Sequence, residues 1–280
     1  MDRLEILALI EGACLETSPF DVLSTSLEQI TREGISSSML ECGIIPEMLA
    51  HDSSPEKLWA KYCDILLAKV LDLLGISSEV IRVRGNSADV RGKTAEYTLV
   101  GDAKAFRLSR SAKNQKDFKI KALDDWRGED TFACLVAPLN QYPCSNSQIY
   151  FQAKQRNVTL LSYVHLKFLL DFPPRGSLLP LWKFAGEMEH NDEATPYWAK
   201  IDEVIRELTG RSQDSLKAYK LAEVVRIKEI GDEGISYWES VKKRYHLLTR
   251  EEAIAKLVKA EKIDGKIRVI QKAINRKCPL

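Results

Sequence analysis

The hydrophobic period of the chain changes after Gly75, and this change constrains the fold more than any other feature of the sequence. Over residues 55–74, apolar side chains recur at three- and four-residue spacing, which predicts a helix with Ser54 as its N-cap and Gly75 as its end. Short segments bounded by glycine and asparagine follow, and they predict strands at 79–84, 88–91 and 95–102. The chain therefore passes from one long helix into a sheet.

Helical and strand-like segments alternate after this point, which is typical of an α/β protein. The pattern predicts helices at 112–126, 147–156 and 163–170, and strands at 132–137 and 158–162. The order of these elements predicts a mixed β-sheet flanked by helices.

The chain beyond residue 172 has a different character. Prolines and a glycine at 173–180 interrupt the regular pattern, and the acidic stretch 186–196 is expected to be a loop. Helices are predicted at 198–208, 215–229, 235–245 and 249–259. We therefore expect an N-terminal helical segment over 1–50, a core over 51–172, and a mostly helical region over 173–280 that packs on the core and could support dimerisation.

Composition excludes several classes of protein. Of the 280 residues, 45% are hydrophobic, and 41 basic residues are balanced by 40 acidic ones, so any affinity for an anionic partner must come from local clustering. The six cysteines form no Cys-x-x-Cys pair and only four histidines are present, which argues against a zinc site. No apolar stretch approaches the roughly twenty residues that span a bilayer. The acidic residues near the N-terminus argue against a secretory signal, so we expect the protein in the cytoplasm.

The motif most informative about chemistry is the apolar strand 97–104, which ends in Asp102-Ala103-Lys104. Residues two apart on a strand face the same side, so the carboxylate and the ammonium would share one space. Asp89 starts the preceding strand, and a hairpin can bring it beside Asp102. Two clustered carboxylates attract a hard cation such as Mg²⁺, and a neighbouring lysine can help an attacking water and offset charge in the transition state. This constellation would serve metal-assisted phosphodiester hydrolysis.

The Asp-x-Lys pattern alone is not specific, because it recurs at Asp117-Phe118-Lys119 and at Asp264-Gly265-Lys266. The first lies on a predicted helix, where residues two apart diverge, and the second is expected to form a turn between helices. The alternative for Asp102 and Lys104 is an ordinary salt bridge at a strand end.

A basic, amide-rich segment directly follows the Asp102 motif. Arginine and lysine attract phosphates, and arginine, asparagine and glutamine can read base edges. The alternative is an ordinary polar helix face. The candidate DNA contacts in this segment are Arg107, Arg110, Lys113, Asn114, Gln115, Lys116 and Lys119, and a further one is Asn86, which could instead only hold its turn.

Several runs of the sequence closely resemble the HindIII family of type II restriction endonucleases. The likeness is carried by the motifs Arg-Gly-Asn-Ser-Ala-Asp-Val at 84–90, Asp-Ala-Lys-Ala-Phe-Arg-Leu-Ser-Arg at 102–110, Ala-Lys-Asn-Gln-Lys-Asp-Phe-Lys at 112–119 and Gln-Tyr-Pro at 141–143. It extends to 55–58 and 248–254, and it is faint in the first forty residues and around 175–215. Ala88, rather than the proline of the PD-(D/E)xK signature, precedes Asp89.

The resemblance implies a PD-(D/E)xK nuclease core in which Asp89 and Asp102 bind metal and Lys104 is the catalytic lysine. It also implies Mg²⁺ as the cofactor and double-stranded DNA as the substrate. The family's site is AAGCTT, cut after the first A on each strand to leave 5′-phosphate ends and four-base overhangs. A homodimer is expected because a palindromic site has two equivalent halves. A cognate methyltransferase would belong to the same system without forming a stable complex with this chain.

Two alternative functions and one weaker site residue accompany this interpretation. A repair or recombination nuclease of the same fold would act on DNA structure, and a non-catalytic DNA-binding protein would use Asp102 and Lys104 as a salt bridge. Glu56 could supply an outer-shell carboxylate, although acidic residues also favour helix N-termini.

Overall fold

A computed structural model describes residues 1–82, 87–110 and 118–274, with side chains to residue 271. Within these residues, five strands form one mixed sheet in the order β1-β2-β3-β4-β5. The pairs β1/β2 and β2/β3 are antiparallel, whereas β3/β4 and β4/β5 are parallel. The strands are β1 (Ser77–Val80), β2 (Val90–Lys93), β3 (Thr98–Ala103), β4 (Phe132–Ala137) and β5 (Val158–Ser162).

Helices precede, flank and follow this sheet. Three of them form the N-terminal segment, and α4 then packs against the antiparallel strands while α5, α6 and α8 pack against the parallel ones. The helices are α1 (Arg3–Ala13), α2 (Pro19–Glu28), α3 (Arg32–Ser38), α4 (Ser54–Leu73), α5 (Ile120–Arg127), α6 (Gln148–Gln155), α7 (Tyr163–Asp171), α8 (Leu179–Glu187), α9 (Ala194–Thr209), α10 (Gln213–His246), α11 (Arg250–Ala260) and α12 (Ile263–Ile274). The predicted mixed sheet flanked by helices is confirmed.

Burial explains why the strands form where they do. Every residue of β4 and β5 is buried, as expected of central parallel strands that are covered on both faces. Helix α4 begins after Ser53, whose hydroxyl accepts a hydrogen bond from Glu56 N at 3.3 Å, and it ends before Gly75, which has φ of 86°. The N-cap is thus Ser53 and not Ser54, and the predicted stop at Gly75 is confirmed.

Several predicted helix boundaries are wrong, for identifiable reasons. Pro180 lies in the first turn of α8, where proline is tolerated, so a helix begins within the stretch that was predicted to be irregular. The predicted loop 186–196 is likewise shorter, because α9 begins at Ala194. The helices predicted at 215–229 and 235–245 are one continuous helix, because α10 tolerates Gly231 within its length.

The segments that repeat the Asp-x-Lys pattern also differ from expectation. Lys119 has φ of 49° and immediately precedes α5, so the helix predicted over 112–126 does not run continuously through it. Residues 264–266 lie inside the first turns of α12 and not in a turn, because the reversal occurs earlier, at Lys262 with φ of 53°.

The described chain divides into two compact units within α10, one spanning Met1–Gly231 and the other beginning at Asp232. The first unit contains the sheet and its flanking helices, and the second contains the last part of α10 with α11 and α12. None of the helices in the described ranges combines the length and apolar character needed to cross a bilayer.

Candidate active site

Asp89 and Asp102 face each other across the antiparallel pair β2/β3. Val90 pairs with Gly101, so the next position outward places Asp89 opposite Asp102. The main chain of Asp89 is held beside the segment that follows β1, since the Asp89 carbonyl accepts a hydrogen bond from Ile81 N at 2.8 Å. The end of the hairpin therefore holds two carboxylates close together.

Lys104 lies against Asp102 on the same side of the chain. Its Nζ is 2.6 Å from Asp102 Oδ1 and 2.5 Å from Oδ2. The backbone there is fixed beside β4, since Lys104 N donates to Val136 O at 2.7 Å. The Asp102 side chain is 1% exposed, while that of Lys104 is 22% exposed, so the lysine reaches from solvent to a buried acid.

Helix α4 contributes a third carboxylate and a second lysine. Asp64 and Lys61 lie one turn apart, and Lys61 Nζ is 2.9 Å from Asp64 Oδ2 and 2.7 Å from Asp89 Oδ1. One carboxylate oxygen from each of Asp64, Asp89 and Asp102 lies within 4.8 Å of the other two. Three acids from a helix and two strands thus meet in one cluster.

The donor set fits a divalent cation with a preference for oxygen. All three candidate ligand groups are carboxylates, which suit Mg²⁺, Mn²⁺ or Ca²⁺ better than zinc. The Asp102 carboxylate is buried, and among the described residues Lys104 Nζ is the cation that contacts both of its oxygens. Asp89 and Asp102, which face each other across β2/β3, are the residues that would hold the ion.

The pKa values of the cluster reflect three acids that share two ammonium groups. Burial raises the pKa of Asp102, against the effect of Lys104, and the nearby Asp89 adds to the rise. Burial and then the charge of Asp89 raise the pKa of Asp64 to about 7, although Lys61 acts in the opposite direction. A bound divalent cation would oppose these shifts, because it stabilises the ionised carboxylates.

Comparison with known proteins shows the family to which this chain belongs. The family model described as HindIII restriction endonuclease matches residues 6–274. The type II restriction enzyme HindIII of Haemophilus influenzae is 35% identical over 284 residues, which cover 96% of this chain and 94% of that enzyme.

The chain belongs to the HindIII restriction endonuclease family. Like that relative it is a site-specific deoxyribonuclease, and its substrate is DNA.

Glu56, predicted as an outer-shell carboxylate, lies in a different group of side chains. Its carboxylate accepts hydrogen bonds from Arg107 Nε at 2.8 Å and from Asp52 N at 2.6 Å, and it contacts His51. These bonds lower the pKa of Glu56 although burial opposes them. The acid that α4 brings to the cluster of this HindIII-family enzyme is Asp64, about two turns further along.

Arg107, predicted as a DNA contact, points into the protein. Besides Glu56 it donates hydrogen bonds to the carbonyl oxygens of Pro46, Glu47 and Leu49, and its side chain is 11% exposed. A main-chain bridge between Ile44 and Phe106 runs beside it. Arg107 therefore joins the segment after Lys104 to the segment that leads into α4.

Of the remaining predicted DNA contacts, the structure describes two. Arg110 and Lys119 are exposed on either side of the gap at 111–117. Asn86, Lys113, Asn114, Gln115 and Lys116 lie outside the described residues. Their roles in this HindIII-family chain stay predictions.

Two residues of the site were missed by the sequence analysis although a signal for them exists. Asp64 lies within the buried run 62–68 of α4, where a charged residue is rare unless it has a partner. Lys61 stands three residues earlier, which is the spacing of neighbours on one helix face. An acid in an apolar helical run with a lysine one turn before it indicates a buried ion pair.

Proposed function

We propose that this enzyme is an Mg²⁺-dependent type II restriction endonuclease that cuts both strands of AAGCTT after the first A. The observation that carries the proposal is the cluster of Asp64, Asp89 and Asp102 beside Lys104 in a chain of the HindIII family. The AAGCTT site and the cut position rest on the family resemblance. The 35% identity to the Haemophilus enzyme over nearly the whole chain supports them.

Each residue of the cluster would have a distinct part in hydrolysis. A bound Mg²⁺ would lower the pKa of a water ligand and polarise the scissile phosphate. Asp89 and Asp102 would hold that ion at the end of β3, and their negative charge would keep it in place. Lys104, which reaches Asp102 from the solvent side, would contact the phosphate and offset the charge that builds up in the transition state.

The DNA would follow the edge of the sheet at which β3 ends. Arg110 and Lys119, which follow β3 in the sequence, are exposed, and the basic residues between them in the sequence add positive charge. Lys113 and Lys116 would anchor phosphates, whereas Asn114 and Gln115 would read bases. Arg107 would stabilise the segment that carries these residues through its hydrogen bonds to Glu56 and to main-chain carbonyls within 46–49.

The enzyme would act as a homodimer, one active centre for each strand of the palindrome. The second compact unit offers exposed apolar residues for this purpose. On α12, Ile263, Ile267 and Ile270 follow one another at four- and three-residue spacing and are 39%, 48% and 60% exposed. We place part of the isologous interface on this face, in the region 173–280 that follows the core. The enzyme would work in the cytoplasm, without a stable complex with its cognate methyltransferase.

Mapping of cut ends tests the proposed specificity. A DNA of known sequence should give discrete fragments in the presence of Mg²⁺ and none in the presence of a chelator. Sequencing both ends of each fragment should find A at one side of every cut and AGCTT at the other. Discrete fragments from another sequence would refute AAGCTT, whereas cutting that follows forks or mismatches would favour a structure-specific nuclease.

A further inference from the structure

Lys61 occupies the space between two of the three clustered acids. Its Nζ bridges Asp64 and Asp89 at 2.9 and 2.7 Å, and its side chain is 44% exposed. The Asp64 side chain is 5% exposed. Among the described residues, no other cation lies as close to its carboxylate as Lys61 does. Lys61 thus contacts Asp89, one of the two acids that would hold the ion, and also the buried acid Asp64.

The contacts divide the cluster between two lysines. Lys104 binds Asp102, and Lys61 binds Asp89, so both acids that face each other across β2/β3 are paired with an ammonium group. The positive charge of an ammonium group on a carboxylate repels a divalent cation that approaches the same carboxylate. An ion that enters between Asp89 and Asp102 therefore competes with Lys61 for Asp89.

We propose that Lys61 is a positioning residue that holds Asp89 in place in the metal-free enzyme and yields it to the metal. Asp64 is the anchor that keeps the ammonium group nearby after it has left Asp89. The half-exposed position and the four-carbon stem of Lys61 give it room to swing toward solvent. The inference rests on the proposed metal site, and it adds a residue that regulates the occupancy of that site.

Two consequences follow from the competition. Without the ammonium group, Asp64, Asp89 and Asp102 repel one another, so the metal-free enzyme should be less stable. The same loss removes a competitor and one positive charge, so a divalent cation should bind more tightly. A lysine that only stabilised the fold would produce the first effect without the second.

Binding of Mn²⁺ in the absence of DNA separates these cases. The free ion is followed by its electron paramagnetic resonance signal during titration of the wild-type enzyme, Lys61→Met, Lys61→Arg and Lys57→Met. Lys57→Met is the matched control, because Lys57 is an exposed lysine one turn earlier on α4 and carries the same charge. We expect Lys61→Met to bind Mn²⁺ at least about fivefold more tightly than the wild type, and Lys57→Met to lie within about twofold of it.

Thermal unfolding in a chelator completes the test. Lys61→Met should melt below the wild type in the chelator and recover on saturation with Mn²⁺, and Lys61→Arg should restore both properties toward the wild type because it keeps the charge. Equal or weaker Mn²⁺ binding by Lys61→Met overturns the role of Lys61 while the metal site stands. Failure of the wild type to bind Mn²⁺ overturns both the role of Lys61 and the proposed metal site.

Discussion

The protonation of buried acids links metal binding to pH. Burial and Asp89 raise the pKa of Asp64 to about 7, and burial raises that of Asp102 as well. A group with a raised pKa holds its proton at a pH where an ordinary carboxyl is ionised, and binding of a cation in the same cluster favours release of that proton.

Affinity for Mg²⁺ or Mn²⁺ should therefore fall as the pH drops below about 7, by up to about tenfold per pH unit for one coupled proton. Titration of metal at about pH 6 and about pH 8, with proton uptake or release measured in weak buffer, checks this expectation. Asp64→Asn removes one of the coupled groups and should flatten the dependence. An affinity that is the same at both pH values would contradict the account.

Site residues could be predicted from the sequence where their position depends on local structure, and not where it depends on the packing of distant elements. Asp89, Asp102 and Lys104 follow from strand period and hairpin register, which are local properties. The partner of Asp89 is different, because Lys61 reaches it only when α4 packs beside the strands. The contacts of Arg107 could not be predicted for a similar reason. The sequence beside a candidate site does not distinguish a basic residue that contacts phosphate from one that donates to main-chain carbonyls, as Arg107 does.

The first half of α10 is attached to the core by charged side chains. Arg226 binds both carboxylate oxygens of Glu41, at 2.7 and 2.9 Å, and Lys220 binds Asp202 at 2.5 Å. Glu223, on the same helix, is bound differently. It is 5% exposed, and its carboxylate accepts a long hydrogen bond, of 3.4 Å, from Leu139 N. Burial raises its pKa to about 7, against that hydrogen bond and the charge of Lys220.

Glu223 should make the fold less stable at higher pH. Its folded pKa lies above the unfolded value, so its contribution is fully present below about pH 4.5 and is lost as the pH rises through about 7. Glu223→Gln keeps the shape and the acceptor but carries no charge, so it should stabilise the protein by up to about 3 kcal/mol at about pH 8.

Urea unfolding of the wild type and Glu223→Gln at about pH 5 and about pH 8 checks this, and the stabilisation should shrink toward the lower pH. The conservative variant Glu223→Asp, which keeps the charge, should show no such gain. A gain from Glu223→Gln that is equal at both pH values would show that packing, and not the buried charge, is responsible.

At the level of elements, the sequence predicted the sheet better than the late helices. Strands β4 and β5 have the predicted bounds, because a fully buried apolar run has few alternatives. Proline and glycine were less informative: Pro180 could end a helix or begin one, and Gly231 could interrupt a helix or be carried within it. Packing of neighbouring elements decides such cases, and sequence period does not report it.

For the whole molecule, assembly through α12 predicts a specific defect. Ile267→Glu combined with Ile270→Glu places two charges on the exposed apolar face and should shift sedimentation from the dimer to the monomer mass. Val269→Glu is the matched control, since Val269 is 68% exposed on the same helix and points away from Ile267. Dimers that persist in the double variant, or are lost equally in the control, would exclude this face as the interface.

Mixed dimers connect assembly to cleavage. Wild-type subunits mixed with an excess of Lys104→Ala subunits should form dimers with one active centre, and these should nick one strand of the site. Double-strand breaks by such dimers in a single binding event would show that one centre cuts both strands.

The central claim is that Lys104, beside Asp102 in the acidic cluster, acts on the scissile phosphate. It is tested most directly by single-turnover cleavage of a plasmid with one recognition site, together with binding of the same site, for the wild type and Lys104→Ala. The account predicts that the variant cuts at least about a thousandfold more slowly and binds the DNA as the wild type does. Cleavage by Lys104→Ala at a rate near that of the wild type would contradict it.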